Sequence, residues 1–169
     1  MISAGTLHVI STELTIGMFA LAGVAFLLCF LNKGPATKVA VAHWAMIGGL
    51  IATPFAIITG VQATPSDGIE NPLLANKLLL SMSAIGLAIG LGVRWFIGNE
   101  INRVHSSLGM VTVGLILVTA GLGGEFSRGE TLLFLIPKDI VILFPMWASI
   151  AIMLCGLAMI GKSAIHRTR

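Results

Sequence analysis

Residues 39–60 read "VAVAHWAMIGGLIATPFAIITG", apolar almost throughout, with His43 near the start. A helix rises about 1.5 Å per residue, so a run of this length crosses the roughly 30 Å hydrocarbon core of a bilayer. In hydrocarbon each backbone donor and acceptor must find its partner within the segment, which makes a helix the expected form. A second run at 104–124, "VHSSLGMVTVGLILVTAGLGG", places His105 at the matching end. Two imidazoles in two oily segments set the question of function.

Working outward, the same test finds three more runs. The five expected spans are Leu7–Leu31, Val39–Val61, Leu73–Ile97, Val104–Leu122 and Ile140–Ile160. Of the 169 residues, 56% are hydrophobic and 10% charged. An ordinary soluble domain carries about 25% charged residues, so water-facing surface is in short supply and lipid is the expected solvent. The alternation of a membrane β-barrel strand is absent. The expected fold is all-α: an integral membrane protein of five transmembrane helices. Residues 1–130 form an up-and-down four-helix bundle, and residues 131–169 supply an interfacial loop ("TLLFLIP"), a fifth C-terminal helix and a basic tail.

The N-terminus "MISAGTLHVIS" lacks the basic start of a cleavable signal, so the first run is expected to stay as a span. With the N-terminus outside, seven basic residues fall inside: Lys33, Lys38, Arg94, Arg103, Lys162, Arg167 and Arg169. Three fall outside: Lys77, Arg128 and Lys138. This asymmetry places the C-terminus on the cytoplasmic side. The net charge of +3 is then a matter of topology; no basic face points to nucleic acid. Cys29 and Cys155 sit singly in apolar helices and read as small filler.

Short inner connections ("NKGPATK", "GNEINR") and longer outer ones suggest two similar hairpins, each with a histidine opening its second helix. Glycines at 48, 49, 86, 90, 92, 109, 114 and 121 read as places of close helix approach. Pro54 is expected to kink its helix.

Glu13 and Lys77 lie at comparable depth in two helices that both enter from outside, which predicts an ion pair. A metal or proton site formed by Glu13 and His8 is disfavoured, because five residues of helix turn the two side chains apart. His8 reads as an interfacial side chain. His43 and His105 stand in one leaflet, on helices expected to be diagonal across the bundle. The inward stripe is expected to run on from His43 through Ile47, Leu50 and Pro54, and from His105 through Gly109, Thr112 and Ile116. Axes of neighbours at 8–10 Å give a diagonal of roughly 12–14 Å. That spacing suits a flat macrocycle with two axial imidazoles, and Gly109 leaves room for its edge. The candidate cofactor is heme b, bound by His43, His105 and Gly109, with the iron held by the two histidines and an electron-transfer role. Neither a phosphate loop, nor HExxH, nor a serine elbow is present.

The runs "GLIATPFAIITGVQATP", "GVRWF" and "TAGLGGEFSRGE" resemble the four-helix prokaryotic membrane domain-of-unknown-function family 2231 over about residues 7–130. In that family a histidine precedes the first helix, as His8 does. A glycine followed by polar residues ends the second, as at Gly60, and a Gly-Gly pair ends the fourth, as at Gly123 and Gly124. The resemblance implies a redox membrane anchor in the inner (cytoplasmic) membrane of a prokaryote, since some members are fused to Rieske-type or cytochrome c domains. The chain departs from the family at Asn76 and Lys77, where a histidine often stands, and it lacks the His-Pro pair before the first helix. His43 and His105 therefore rest on their spacing alone. The expected function is a cytochrome b-like electron-transfer subunit working between a quinone pool and a redox partner. The alternative is a non-catalytic accessory subunit of a larger respiratory or oxygenase complex, packed against other membrane subunits. A small transporter is a third reading, and only Pro54 and a few threonines hint at the polar midplane path it needs.

Overall fold

The computed structural model describes residues 3–64, 72–98, 101–129 and 145–167. They form five helices: α1 (Ala4–Phe30), α2 (Lys38–Ala63), α3 (Pro72–Phe96), α4 (Arg103–Arg128) and α5 (Met146–Arg167). The "TLLFLIP" segment, Asp67, Glu70, Glu130, Lys138 and Asp139 lie outside the described residues, as does the His166 side chain.

The first four helices are long and apolar enough to cross a membrane. The apolar part of α5, Met146–Lys162, is shorter. At about 1.5 Å per residue this described part falls a little short of a roughly 30 Å core, and the expected start of the span at Ile140 lies outside the described residues. Large apolar side chains stand exposed along the outer faces, among them Val24, Ile51, Phe55, Val61 and Val104. No water-soluble surface carries such a belt; lipid is the medium that suits it.

Local chemistry sets the ends. Ser3 caps α1, its Oγ accepting from the Thr6 amide at 3.1 Å. After Phe30 the chain reverses through Asn32, in the left-handed region at φ 52°, and the Lys33 amide donates back to Leu28 O. Asparagine is among the few residues that tolerate that conformation. Asn102 caps α4 by accepting from the His105 amide at 2.9 Å, which fixes His105 in the first turn. At its far end α4 runs six residues past the expected Leu122, through Gly123 and Gly124, and stops at Gly129 with φ 62°. Similarly, α2 continues through Pro54, whose ring faces outward.

The packing order is simple. α1 lies against α2 and α4; α3 lies against α4, more lightly against α2, and carries α5 on its other side. Among the described residues α2 and α4 face each other across one diagonal, and α1 and α3 across the other. The interior is built from Phe19, Phe26, Met46, Leu80, Leu91 and Leu122 with many alanines between them. Small residues let backbones close in where lipid gives no hydrophobic drive between helices. A Cβ on Gly49 would fall 2.7 Å from the Phe19 ring, and one on Gly156 would fall 2.7 Å from the backbone of Gly86.

The buried face of α4 includes His105, Gly109, Thr112 and Ile116, the stripe the sequence predicts. On α2 the predicted stripe of Ile47, Leu50 and Pro54 is displaced. Ala42, His43, Ala45, Met46, Gly49, Ala52 and Thr53 are buried instead, and Pro54 is exposed. Apart from His43 and Met46, α2 turns small residues inward, and bulky ones such as Trp44, Ile51 and Phe55 stand exposed.

Candidate polar site between helices two and four

His43 and His105 meet at the end of the bundle formed by the α1–α2 and α3–α4 turns. Both are buried, at 0% and 3% exposure. Their Nε2 atoms are 2.9 Å apart and their ring centroids 5.1 Å apart. The diagonal is thus closed by direct imidazole contact.

The hydrogen-bond network assigns the protons. His43 Nδ1 stands 2.7 Å from Val39 O, and a carbonyl can only accept, so Nδ1 carries hydrogen. A neutral His43 then offers a bare Nε2. The proton between the rings must come from His105 Nε2, which leaves His105 Nδ1 as an acceptor. That atom is buried and has no partner among the described residues. An unmet buried acceptor costs about 1–3 kcal/mol, so the bond between the rings is made at some expense on its far side.

Aromatic rings wall the pair. Trp95 stacks on His43, centroids 4.6 Å apart and planes at 19°. Phe26 meets His43 edge-on at 5.3 Å and His105 at 6.2 Å. The Phe26 ring occupies the notch of Gly109, where a Cβ would fall 2.5 Å from Cγ. Trp95 and Phe26 were not singled out by sequence reasoning. The "RWF" ending α3 carried the one available signal, an aromatic at helical depth matching His43.

A haem is a demanding occupant. Two axial imidazole nitrogens on one metal stand about 4 Å apart, from metal–nitrogen bonds of about 2.0 Å each. Here the nitrogens are at hydrogen-bond distance, and the room beside Gly109 holds Phe26. A ligating His105 would also need hydrogen on Nδ1 and an acceptor for it, and Nδ1 has no partner among the described residues. In this conformation the residues do not fit a haem between the rings, and the expected planar gap is not found. Among the described residues no group of three or more His, Cys, Asp or Glu side chains gathers to hold a metal ion.

The other predicted pair is not brought together. Glu13 is exposed on the outward side of α1, and α1 and α3 are diagonal. Lys77 turns inward instead, its Nζ 2.7 Å from where a Cβ on Gly123 would stand. Equal depth along two helices says nothing of their rotation, which is where the pairing breaks down. His8 has a more definite place than an interfacial side chain: its Nδ1 donates to Ala56 O at 3.0 Å, over Gly60. Ser11 and Thr59 add a 3.2 Å hydroxyl contact, so a second polar tie joins α1 and α2 at the opposite end from the histidine pair. Cys29 and Cys155 are free thiols.

Comparison with family models, with curated proteins and with solved structures gives no match.

Proposed function

We propose that the chain is a non-catalytic membrane subunit, a helical scaffold that packs against other subunits of a larger membrane complex. The observation that carries this reading is the 2.9 Å contact between His43 and His105. The two intramembrane imidazoles, the strongest candidates for chemistry, spend their facing nitrogens on each other and clasp α2 to α4. The resemblance to family 2231, with its redox-domain fusions, favours a respiratory or oxygenase complex as the setting. The same resemblance implies the inner membrane of a prokaryote, and the asymmetry of basic residues puts the N-terminus outside with α5 completing a fifth crossing. Reporter fusions at the two termini test that orientation.

The second reading is the cytochrome b-like subunit, taking electrons from a quinone pool through a haem held by His43 and His105. Two observations favour it: α2 and α4 are diagonal, and His43 Nδ1 is anchored on Val39 O as a ligating histidine requires. It needs the rings to part by about 1 Å and Phe26 to leave Gly109. The absorption spectrum of the purified, dithionite-reduced protein separates the two. A spectrum without a sharp α band supports the scaffold; a band lost in both His43→Ala and His105→Ala overturns it.

A further inference from the structure

Glu13 is a charge on the wrong side of its helix. It lies nine residues into α1, about 14 Å along a helix roughly 40 Å long, so a centred 30 Å core covers it by about 9 Å. That is too deep for a short carboxylate side chain to reach the interface. The residue is exposed, and no described residue forms an ion pair or hydrogen bond with it. Its face continues one turn on with Gly17, where an added Cβ meets nothing within 4 Å, then with Ala20 and Val24, all exposed. Carboxylates in hydrocarbon are paired, and small residues mark where a second backbone can come close. Both requirements converge on one stripe.

Described elements of the chain leave that stripe open. α2 and α4 flank α1, and α5 sits against α3 on the far side of the bundle. A second copy docking by a two-fold axis through this face would set one Glu13 against another, so like charges disfavour it. We infer that the Glu13–Gly17–Ala20 face of α1 docks a transmembrane helix of a different protein, one that brings a Lys or Arg to the depth of Glu13 and lays its backbone over Gly17. The inference deepens the scaffold reading, and rests on it, by naming the surface and the kind of partner.

The test is a photo-crosslinking residue at Ala20 of the full-length chain in its native membranes, with the adduct identified by peptide mass. The expected adduct is a single transmembrane peptide of another protein with Lys or Arg within one turn of the Glu13 depth. Its yield should fall about tenfold or more in Glu13→Lys, and return when the partner's basic residue is changed to Glu. A Gly17→Leu variant should lose it as well. Adducts to lipid alone, to another copy, to residues 130–144 of the same chain, or to a helix indifferent to the charge at residue 13 overturn the inference. Positions 13, 17 and 20 are all exposed, so gel filtration of each variant should match the parent. A haem spectrum would sink the scaffold reading with the adduct unchanged, whereas a missing adduct with a colourless protein sinks the docking surface alone.

Discussion

The ring of Phe26, on α1, lies where a side chain on residue 109 of α4 would have to be. The two helices are neighbours, and their closest approach beside the histidine pair depends on this one missing methyl group. Gly109→Ala should therefore overpack the site and destabilise the bundle by about 1–3 kcal/mol. Thermal unfolding in detergent measures it. Combining the change with Phe26→Leu should recover much of the loss, and a purely additive double variant would mean the two residues do not share that space.

The histidine pair should behave as one unit. His43→Leu alone strands the proton on His105 Nε2, and His105→Leu alone strands the lone pair on His43 Nε2. Each leaves a buried polar atom without a partner, at about 1–3 kcal/mol. The double Leu variant removes both atoms and should be less destabilised than the sum of the singles by about 0.5–3 kcal/mol. A double-mutant cycle in denaturant reads this directly. Additivity within error would show that the 2.9 Å contact contributes nothing.

How far the sequence carries can be judged on these same residues. The simple helix order, the diagonal of α2 and α4 and the matched depth of His43 and His105 follow from span length and loop length, and the structure has them. The inward stripe of α4 is legible because His105, Gly109, Thr112 and Ile116 follow one another at helical spacing, and all four are buried. The stripe of α2 is not. Ile47, Leu50 and Pro54 were expected inside because they follow His43 at helical spacing. In lipid both faces are apolar and small size marks the interface, so Ala42, Ala45, Gly49 and Ala52 are buried beside His43 and Met46. Rotation about the helix axis is the quantity depth cannot supply, and it separates Glu13 from Lys77. What fills the space beside Gly109 is likewise unreadable, since Phe26 is 83 residues away in the chain.

At the opposite end of the bundle, His8→Phe should keep the packing over Gly60 and lose the bond to Ala56 O with the longer contacts of Nδ1 to the Thr12 and Thr59 hydroxyls. Interhelical hydrogen bonds in membranes average about 0.6 kcal/mol, so the loss should be small and local. A stability change well above about 1.7 kcal/mol would exceed the range for such bonds and would assign His8 a larger part than tying α1 to α2.

The fifth helix offers the sharpest geometric test. Gly156 of α5 and Gly86 of α3 meet backbone to backbone, and a Cβ on Gly156 would fall 2.7 Å from both Gly86 C and Leu87 N. A side chain can swing aside, but the backbone of a membrane helix holds its hydrogen bonds and cannot. Gly156→Val should therefore separate α5 from α3. The His43–His105 clasp and the α1–α2 contact lie on other helices and should be untouched. Spin labels at the exposed Leu78 and Leu154 measure the α3–α5 distance, and labels at the exposed Val24 and Ile51 serve as the α1–α2 control. The expected result is a longer and broader α3–α5 distance with the control unchanged. If both distances shift together, α5 is an integral part of the bundle; if neither shifts, the two glycines are not the seam that holds it.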